Sequence, residues 1–270
     1  MAAPVIALLT DFGLIDTYVG ELKGAVLTVN SDTTIVDITH HVPPQGVDAG
    51  AFLLGNAADA FPSGTVFIAV VDPGVGSERR PLLVETPRAA FVGPDNGLFT
   101  RVVWPGTVDG PATPVLASLP PGVRAWRLTN PAYWREHVSN TFHGRDVFAP
   151  VAAHYASGVA AGTLGERVDA IWRLPVPQPT ARDGVVTGEV VYVDHYGNLV
   201  TNIPVTILPT AAVVEVGEQR IEGLSMHYDA ERPLVAIVGS HDTLEIAVPG
   251  SSAAEALGVG RGVQVRVAPA

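Results

Sequence analysis

The sequence predicts two domains: an α/β N-terminal domain built on a mainly parallel sheet, and a small antiparallel β-barrel as C-terminal domain. In the first part of the chain, short β-branched runs alternate with segments of helical periodicity, which is typical of a parallel sheet covered by helices. In the last part, strand-like runs follow one another without intervening helices. The 270 residues exceed the usual length of one domain, about 100–200 residues. We place the domains at residues 1–175 and 183–270.

The N-terminal elements follow from the spacing of apolar residues. Buried strands are predicted at Val5–Thr10, Thr34–Ile38 and Thr65–Val71, where β-branched residues cluster. Two helices are predicted between them, because apolar residues recur at intervals of three and four. Their apolar faces comprise Val19, Leu22, Val26 and Val29 in a helix beginning near Asp16, and Val47, Ala51, Leu54 and Ala58 in the next helix.

The rest of this domain is less regular. Pro94-Asp95-Asn96-Gly97 is a strong turn signal. The segment 104–125 holds five prolines and little periodicity, so we expect a surface excursion there. A helix is predicted at Arg145–Tyr155, ending near Gly158. The prolines of segment 174–179 predict an extended linker to the second domain.

Six strands are predicted in the C-terminal domain, each a short β-branched run between turn signals. They are Val185–Asp194, Leu199–Ile203, Ala211–Val216, Leu234–Val238, Thr243–Val248 and Val263–Val267. Their regular succession favours a small antiparallel barrel.

The composition excludes several classes of protein. The formal net charge of -11 argues against a nucleic-acid partner, since such binding depends on Lys and Arg side chains that neutralise phosphates. No apolar run approaches the ~18 residues of a membrane span, and the apolar start Val5–Leu9 is too short for a secretory signal. We therefore expect a cytoplasmic protein without membrane or nucleic-acid partners. The absence of cysteine excludes disulfides, thiolate nucleophiles and cysteine-based metal sites.

Two carboxylates stand directly after predicted parallel strands. Asp11 follows the first strand, and Asp72 follows the third and precedes a glycine-rich run, Pro73–Arg80. Ligands bind at the carboxyl ends of parallel strands, so we expect both side chains at one crevice, although an aspartate before a turn often only caps a loop. The run lacks the lysine and the third glycine of phosphate-binding loops. Arg79 and Arg80 fit solvated surface charges, although a cation seven residues beyond Asp72 could also fold back and pair with it.

The remaining polar clusters are ambiguous by themselves. His143 stands just before the predicted helix, and no H-E-x-x-H spacing marks a zinc site. The segment Asp194–Asn198 fits a polar hairpin turn as well as a binding site. Tyr228 and Ser240 are equally compatible with ordinary loops.

Taken in order, several segments resemble the S-adenosylmethionine hydroxide adenosyltransferases, the hydrolase branch of a family that also contains fluorinating and chlorinating enzymes. The segments are Thr10–Gly13 with Asp16, Val70–Arg80, Phe91–Gly97, Thr141–Pro150 and Asp194–Asn202. The agreement extends over nearly the whole chain. The resemblance implies hydrolysis of S-adenosyl-L-methionine to adenosine and L-methionine, and a homotrimer with sites between subunits. It also implies that S-adenosyl-L-methionine is the substrate and that neither a cofactor nor a metal is needed.

The resemblance further implies roles for individual residues. Asp72, Arg79 and His143 would activate the attacking water. Asp11, supported by Asp16, would hold the ribose hydroxyls. The other implied contacts are Asp194 to the substrate ammonium, Asn198 to the adenine edge, Tyr228 against the adenine ring and Ser240 near the methionine carboxylate.

Three other functions fit parts of this pattern. A halide could replace water as the nucleophile. Asp11 and Asp72 could instead hold a divalent metal in a phosphoester hydrolase. Alternatively, the protein could bind S-adenosylmethionine or adenosine without turning it over. The sequence does not decide whether Asp72 or His143 takes the proton from water.

Overall fold

The computed structural model describes residues 3–106 and 110–270. The chain divides into two compact units, with the boundary between Pro175 and Val176. We call them the N-terminal unit and the C-terminal unit. Across the described residues, no helix is long and apolar enough to cross a membrane.

The N-terminal unit mixes strands and helices. Its strands are β1 (Val5–Thr10), β2 (Thr34–Thr39), β3 (Val66–Val70), β4 (Pro81–Glu85), β5 (Ala90–Pro94), β6 (Val115–Ser118), β7 (Arg124–Leu128), β8 (Gly165–Val168) and β9 (Ala170–Arg173). Its helices are α1 (Tyr18–Val29), α2 (Val47–Ala58), α3 (Thr100–Val103), α4 (Ala149–Ala156) and α5 (Ala161–Leu164), with a π-helical turn at Gly144–Phe148 and a 3-10 turn at Pro131–Tyr133.

The main sheet of this unit has seven strands in the order β2-β1-β3-β5-β4-β7-β8. Strands β2, β1, β3 and β5 run parallel, whereas β4, β7 and β8 are antiparallel to their neighbours. The predicted α/β fold class is confirmed. The antiparallel strands are not apparent from the sequence, because they are short and carry charged residues such as Glu85, Arg124 and Glu166, which disfavour a strand by propensity alone.

Helices cover both faces of the parallel part of the sheet. Ile6 and Ile68 belong to the same buried cluster as Leu22 of α1. The residues that alternate with them point to the opposite face, where the rings of Phe67 and Phe91 stack with their centroids 5.0 Å apart. The parallel strands are thus packed on both faces.

Two predictions for this unit need correction. The predicted helix at Arg145–Tyr155 begins instead as the π-helical turn, and α4 starts only at Ala149. A π-turn inserts one extra residue per turn, which periodicity does not reveal. The segment 104–125 is only partly an excursion, because β6 pairs with β9 and β7 begins at Arg124. Residues 107–109 of that segment lie outside the described residues.

The C-terminal unit is a nearly closed antiparallel sheet. Its strands are β10 (Thr180–Arg182), β11 (Val185–Val193), β12 (Leu199–Pro204), β13 (Ala212–Val216), β14 (Gln219–Glu222), β15 (Val235–Val238), β16 (Thr243–Ala247) and β17 (Gln264–Pro269). The order is β14-β13-β17-β11-β12-β16-β15, with β10 beside β11. Just after β14, Ser225 bridges to Ile237 of β15, which draws the two ends of that order together.

The predicted β-barrel class of this unit is confirmed. The expectation of strands without helices is wrong at α6 (Ala253–Leu257), where Ser252 caps the helix by accepting a 3.1 Å hydrogen bond from the Glu255 amide. A short 3-10 turn also lies at Val205–Ile207. A five-residue helix is too short to produce a clear periodic signal.

Candidate functional site

The carboxyl edge of the parallel strands gathers the first two predicted site residues. Thr10 of β1 lies opposite Val70 of β3, so Asp11 and Asp72 enter loops at the same edge of the sheet. The Asp11 carboxylate accepts a 2.8 Å hydrogen bond from the backbone N–H of Gln45. This hydrogen bond links the loop after β1 to the loop after β2. It involves only Oδ2 of Asp11 and does not involve Oδ1.

The carboxylate of Asp72 is bound by Arg79. The Nε atom of Arg79 lies 3.0 and 2.9 Å from the two carboxylate oxygens, and its Nη2 atom lies 2.6 Å from Oδ2. Both side chains are less than a tenth exposed. The loop between them can fold back because Gly76 has a φ of +77° and touches Asn140, whose carbonyl oxygen a Cβ atom would approach to 2.4 Å.

The same guanidinium contacts His143. The Nη2 atom of Arg79 lies 2.7 Å from Nδ1 of His143, and its Cζ atom lies 5.2 Å from the centre of the Phe148 ring. A guanidinium can only donate hydrogen bonds, so Nδ1 must be the acceptor and a neutral ring carries its proton on Nε2. Burial, followed by the charge of Arg79, lowers the pKa of His143 below 6.5, which favours that neutral ring.

Three aromatic rings join the loop of Asp11 to the loop of His143. The centroid of Phe12 lies 6.2 Å from that of Tyr18 and 5.7 Å from that of Phe142. Tyr18 and Phe142 are 5.3 Å apart, and each pair meets edge to face. Asp16, in contrast, lies on the exposed part of this loop, just before α1.

In the C-terminal unit, Asp194 and Asn198 bind each other across the hairpin between β11 and β12. The Asp194 carboxylate accepts hydrogen bonds from the backbone N–H groups of Tyr196 and Asn198, at 2.9 and 2.8 Å. Its other oxygen accepts the side-chain amide of Asn198 at 2.9 Å. These bonds give both residues a turn-forming role whatever ligand they bind, and they leave the amide oxygen of Asn198 available as an acceptor.

A second acidic residue lies beside this hairpin. Glu245 of β16 is only 7% exposed, and its carboxylate lies over Gly239, where a Cβ atom would approach Oε1 to 1.8 Å. Burial, and then the negative charge of Asp194, raise the pKa of Glu245. Both acids also raise the pKa of the half-exposed Tyr228, after burial as the larger cause. Asp194, Tyr228 and Glu245 therefore lie within electrostatic range of one another.

The two units match the two parts of one family. Residues 6–165 match the SAM hydroxide adenosyltransferase N-terminal domain, and residues 188–266 match the C-terminal domain of the same family. The chain belongs to the SAM hydroxide adenosyltransferase family. The expected family is thus confirmed.

Individual relatives agree with this assignment. A Thermus thermophilus protein named (R)-S-adenosyl-L-methionine hydrolase is 39% identical over 96% of this chain and 97% of its own length. A crystal structure of an uncharacterized conserved protein from Thermotoga maritima superposes with a TM-score of 0.86 at 33% identity, covering 97% of this chain and 99% of that one. A fluorinase from Actinoplanes is more distant, at 28% identity over 78% of this chain and 75% of its own.

The predicted site residues form two groups, one in each unit of the structure. Asp72, Arg79 and His143 touch one another in the N-terminal unit, with Asp11 at the same sheet edge and Asp16 exposed nearby. Asp194 and Asn198 touch each other in the C-terminal unit, close to Tyr228. Ser240 is exposed in the turn between β15 and β16, where its hydroxyl lies 3.3 Å from Nδ1 of His241.

Sequence reasoning did not single out Glu245, the buried acid of β16 in this member of the SAM hydroxide adenosyltransferases. A signal was present, because Glu245 interrupts an otherwise apolar strand, between the buried Leu244 and Ile246. In a strand with one solvated face, an acid at that position would point to water. Here the opposite face is covered as well, and that covering depends on the tertiary structure.

The described part of the chain contains no group of three or more His, Cys, Asp or Glu side chains arranged to hold a metal ion. Asp11 and Asp72, which could share a metal in a phosphoester hydrolase, are instead bound to Gln45 and Arg79. A metal ion at Asp72 would lie beside the positive charge of Arg79, which would repel it.

Proposed function

We propose that this protein hydrolyses S-adenosyl-L-methionine to adenosine and L-methionine by in-line attack of water on the ribose C5′ atom. The observation that carries the proposal is the chain of contacts from Asp72 through Arg79 to His143. A new bond forms between the water oxygen and C5′, the bond from C5′ to sulfur breaks with its electron pair passing to sulfur, and one water proton is released. Methionine leaves as a neutral thioether, so the main tasks are to orient the water and to accept its proton.

The geometry favours Asp72 as the proton acceptor. His143 cannot take a proton at Nδ1, which accepts from Arg79, and Nε2 already carries one in the neutral ring. The Oδ1 atom of Asp72 keeps one acceptor site, because it accepts only from Nε of Arg79, whereas Oδ2 accepts from both Nε and Nη2. His143 then orients the attacking water with its Nε2–H group. Arg79 holds both partners in place, which is the kind of positioning that lowers the barrier of a displacement reaction.

The same carboxylate disfavours a halide as the nucleophile. A halide ion near Asp72 would meet a negative charge in a site where both side chains of the ion pair are nearly buried. Arg79 offers a halide few hydrogen bonds, because its Nε and Nη2 groups already donate to Asp72 and His143. Water has no net charge to repel and has a proton to lose, so it suits this site better.

The acidic cluster of the C-terminal unit suits a cationic substrate. S-adenosyl-L-methionine carries an ammonium and a sulfonium, and Asp194 and Glu245 create a region of negative potential beside Tyr228. We assign Asp194 to the ammonium and Asn198 to the adenine edge, with Tyr228 against the adenine ring and Ser240 near the carboxylate. Asp11, with Asp16 in support, binds the ribose hydroxyls through its carboxylate.

A homotrimer, with each site formed by the N-terminal unit of one subunit and the C-terminal unit of its neighbour, completes the proposal. Sedimentation velocity over a range of concentrations tests it, with activity measured in parallel. A trimer whose specific activity falls on dilution into monomers supports shared sites. A monomer with full activity would contradict them.

The decisive experiment incubates the purified protein with S-adenosyl-L-methionine and separates the products by chromatography. We expect adenosine and methionine in equal amounts, with undiminished turnover in EDTA. Tight binding without adenosine formation would support a sensor, and turnover that EDTA abolishes and a divalent ion restores would support a metal-dependent hydrolase. Either result would refute the proposal.

A further inference from the structure

Asp146 is the most deeply buried carboxylate near His143, with no exposed side-chain surface. It lies in the π-helical turn that begins directly after His143. Its two oxygens accept hydrogen bonds from Nε and Nη2 of Arg145, at 2.6 and 3.0 Å, and one also accepts the backbone N–H of Ser139 at 2.8 Å. Arg135 lies 3.5 Å away. The carboxylate is therefore fully engaged, although neither the sequence pattern nor the proposed reaction assigns it a role.

These bonds connect the chain on both sides of His143. The loop before it is held by Ser139, whose N–H is bound by the Asp146 carboxylate, and by Arg135, whose backbone N–H donates to the Asp146 carbonyl at 2.9 Å. The turn after His143 closes through the Asp146 N–H, which donates to Phe142 at 3.1 Å. His143 lies between these attachments.

Arg145 connects the Asp146 carboxylate to helix α1. Its Nη1 atom lies 2.7 Å from the carboxylate of Glu21 in α1, and its guanidinium lies 4.9 Å from the centre of the Phe142 ring. Phe142 precedes His143 directly and packs on the aromatic rings that reach the Asp11 loop. A π-turn is a local distortion of the helix that needs such support, and these turns occur often at functional sites.

We propose that Asp146 is the positioning residue for His143, an inference that rests on the proposed hydrolysis. Through Arg145 and Ser139 it fixes the backbone that carries the imidazole, so that Nδ1 meets Arg79 and Nε2–H meets the attacking water. It acts through His143 and does not itself touch the substrate.

Asp146 also acts on His143 through its charge. The charged groups that bear on the imidazole are Arg79 and Asp72 from the loop after β3, and Asp146 from the π-turn. The charge of Asp146 raises the pKa of His143, opposing the larger effects of burial and Arg79. Removal of that charge therefore lowers the pKa of His143 further, an effect that a purely structural anchor would not produce.

The test compares Asp146→Asn with Glu85→Gln in the full-length protein. Asparagine keeps the shape and can still accept from Ser139, but it loses the charge that binds Arg145. We expect kcat to fall about 10–100-fold with KM for S-adenosyl-L-methionine changed less than about threefold, since displacement of a catalytic group by about 1 Å can cost this much. Glu85 is a matched control, because it is mostly buried and paired to Arg124 at 2.6 Å at the end of β4. Glu85→Gln should leave both constants unchanged.

A second readout does not depend on turnover. The imidazole of His143 can be titrated by NMR, with its signal assigned from His143→Ala. The signal should titrate below 6.5 in the wild-type protein and lower still in Asp146→Asn, and the acid limb of the pH–rate profile should move in the same direction. An unshifted titration together with an unchanged kcat would overturn the proposal for Asp146, whereas a wild-type protein without hydrolase activity would instead overturn the proposed function.

Arg145→Lys separates geometry from charge and serves if Asp146→Asn does not fold. Lysine keeps the positive charge but cannot make the two-pronged contact to Asp146. The Asp146 carboxylate stays in place, so kcat should fall at least fivefold while the pKa of His143 changes less than in Asp146→Asn. A kcat equal to the wild-type value in folded Arg145→Lys would contradict the positioning role.

Discussion

The Nη2 atom of Arg79 lies 2.6 Å from the carboxylate of Asp72 and 2.7 Å from Nδ1 of His143, so one guanidinium nitrogen joins an acid to an imidazole. Because a guanidinium only donates, this relationship fixes Nδ1 of His143 as an acceptor. The contact therefore determines the protonation state of the ring and which of its nitrogens can face water.

Activity should persist at pH values below those at which an ordinary histidine becomes protonated. The pKa of His143 is lowered by burial and by Arg79, so the active neutral ring is retained until the pH falls below 6.5. The same shift has a consequence for stability. Since the unfolded chain takes up this proton at higher pH than the folded protein, the contribution of His143 to the free energy of unfolding is complete above the unfolded pKa and declines as the pH falls through it.

The measurement is a pH–rate profile for the wild type, His143→Asn and His143→Ala. Asparagine can accept from Arg79 in place of Nδ1 but lacks Nε2–H, whereas alanine removes both. We expect kcat to drop about 10²-fold in both variants, because the attacking water loses the Nε2–H group that orients it. A rate that rises as the pH falls would show instead that protonated His143 is the active form.

Replacement of Asp72 by Asn should lower kcat by about 10²–10⁴-fold, because the water loses its proton acceptor. Substrate binding should change much less, since the carboxylate interacts mainly with the attacking water. In ¹⁸O-water the wild-type enzyme should place the label on the 5′ oxygen of adenosine. Product in molar chloride should still be adenosine, and 5′-chloro-5′-deoxyadenosine as the main product would refute the preference for water.

Replacement of Asp11 by Ala should weaken substrate binding more than it slows turnover of bound substrate. The loss of one partner from a buried polar contact costs about 1–3 kcal/mol, which corresponds to roughly 5–150-fold in Kd. Asp11→Asn is the control, because its amide oxygen can still accept from the Gln45 N–H and preserve the loop. Calorimetry with substrate or adenosine measures the affinity. Unchanged binding in Asp11→Ala would remove the ribose assignment.

Glu245→Gln should stabilise the protein at neutral pH and weaken its hold on the cationic substrate. Burial and Asp194 raise the pKa of Glu245, so the folded state holds its proton to higher pH than the unfolded chain. The contribution of Glu245 to stability is therefore complete below its unfolded pKa and is lost as the pH rises through the folded pKa. The neutral amide avoids that loss.

We expect the Tm of Glu245→Gln to exceed that of the wild type at pH 7–8 and to approach it near pH 4, while KM for S-adenosyl-L-methionine rises about tenfold, equivalent to 1.4 kcal/mol. Glu222→Gln, in the exposed ion pair with Arg220, is the control and should change neither quantity. If the KM of Glu245→Gln equals that of the wild type, Glu245 does not contribute to substrate binding.

The sequence determined the elements whose side chains repeat with a regular period. Strands β1, β2 and β3 and helices α1 and α2 were predicted close to their observed bounds, because burial of one face imposes a spacing that local sequence displays. The positions of Asp11 and Asp72 followed from the same logic, since parallel strands end at one edge. The roles of the site residues came from resemblance and stay predictions.

Only the tertiary structure decided which side chains meet. Arg79 and His143 touch although 64 residues separate them, and local periodicity carries no information about such a pairing. The π-turn, the anchoring of His143 by Asp146 and the burial of Glu245 likewise depend on chain segments that pack from elsewhere in the fold. The antiparallel strands β4, β7 and β8 belong to the same class, because such short segments become strands only where neighbouring strands pair with their backbone N–H and C=O groups. Local sequence specifies which faces are buried, whereas the partners of a polar group are set by contacts between distant segments.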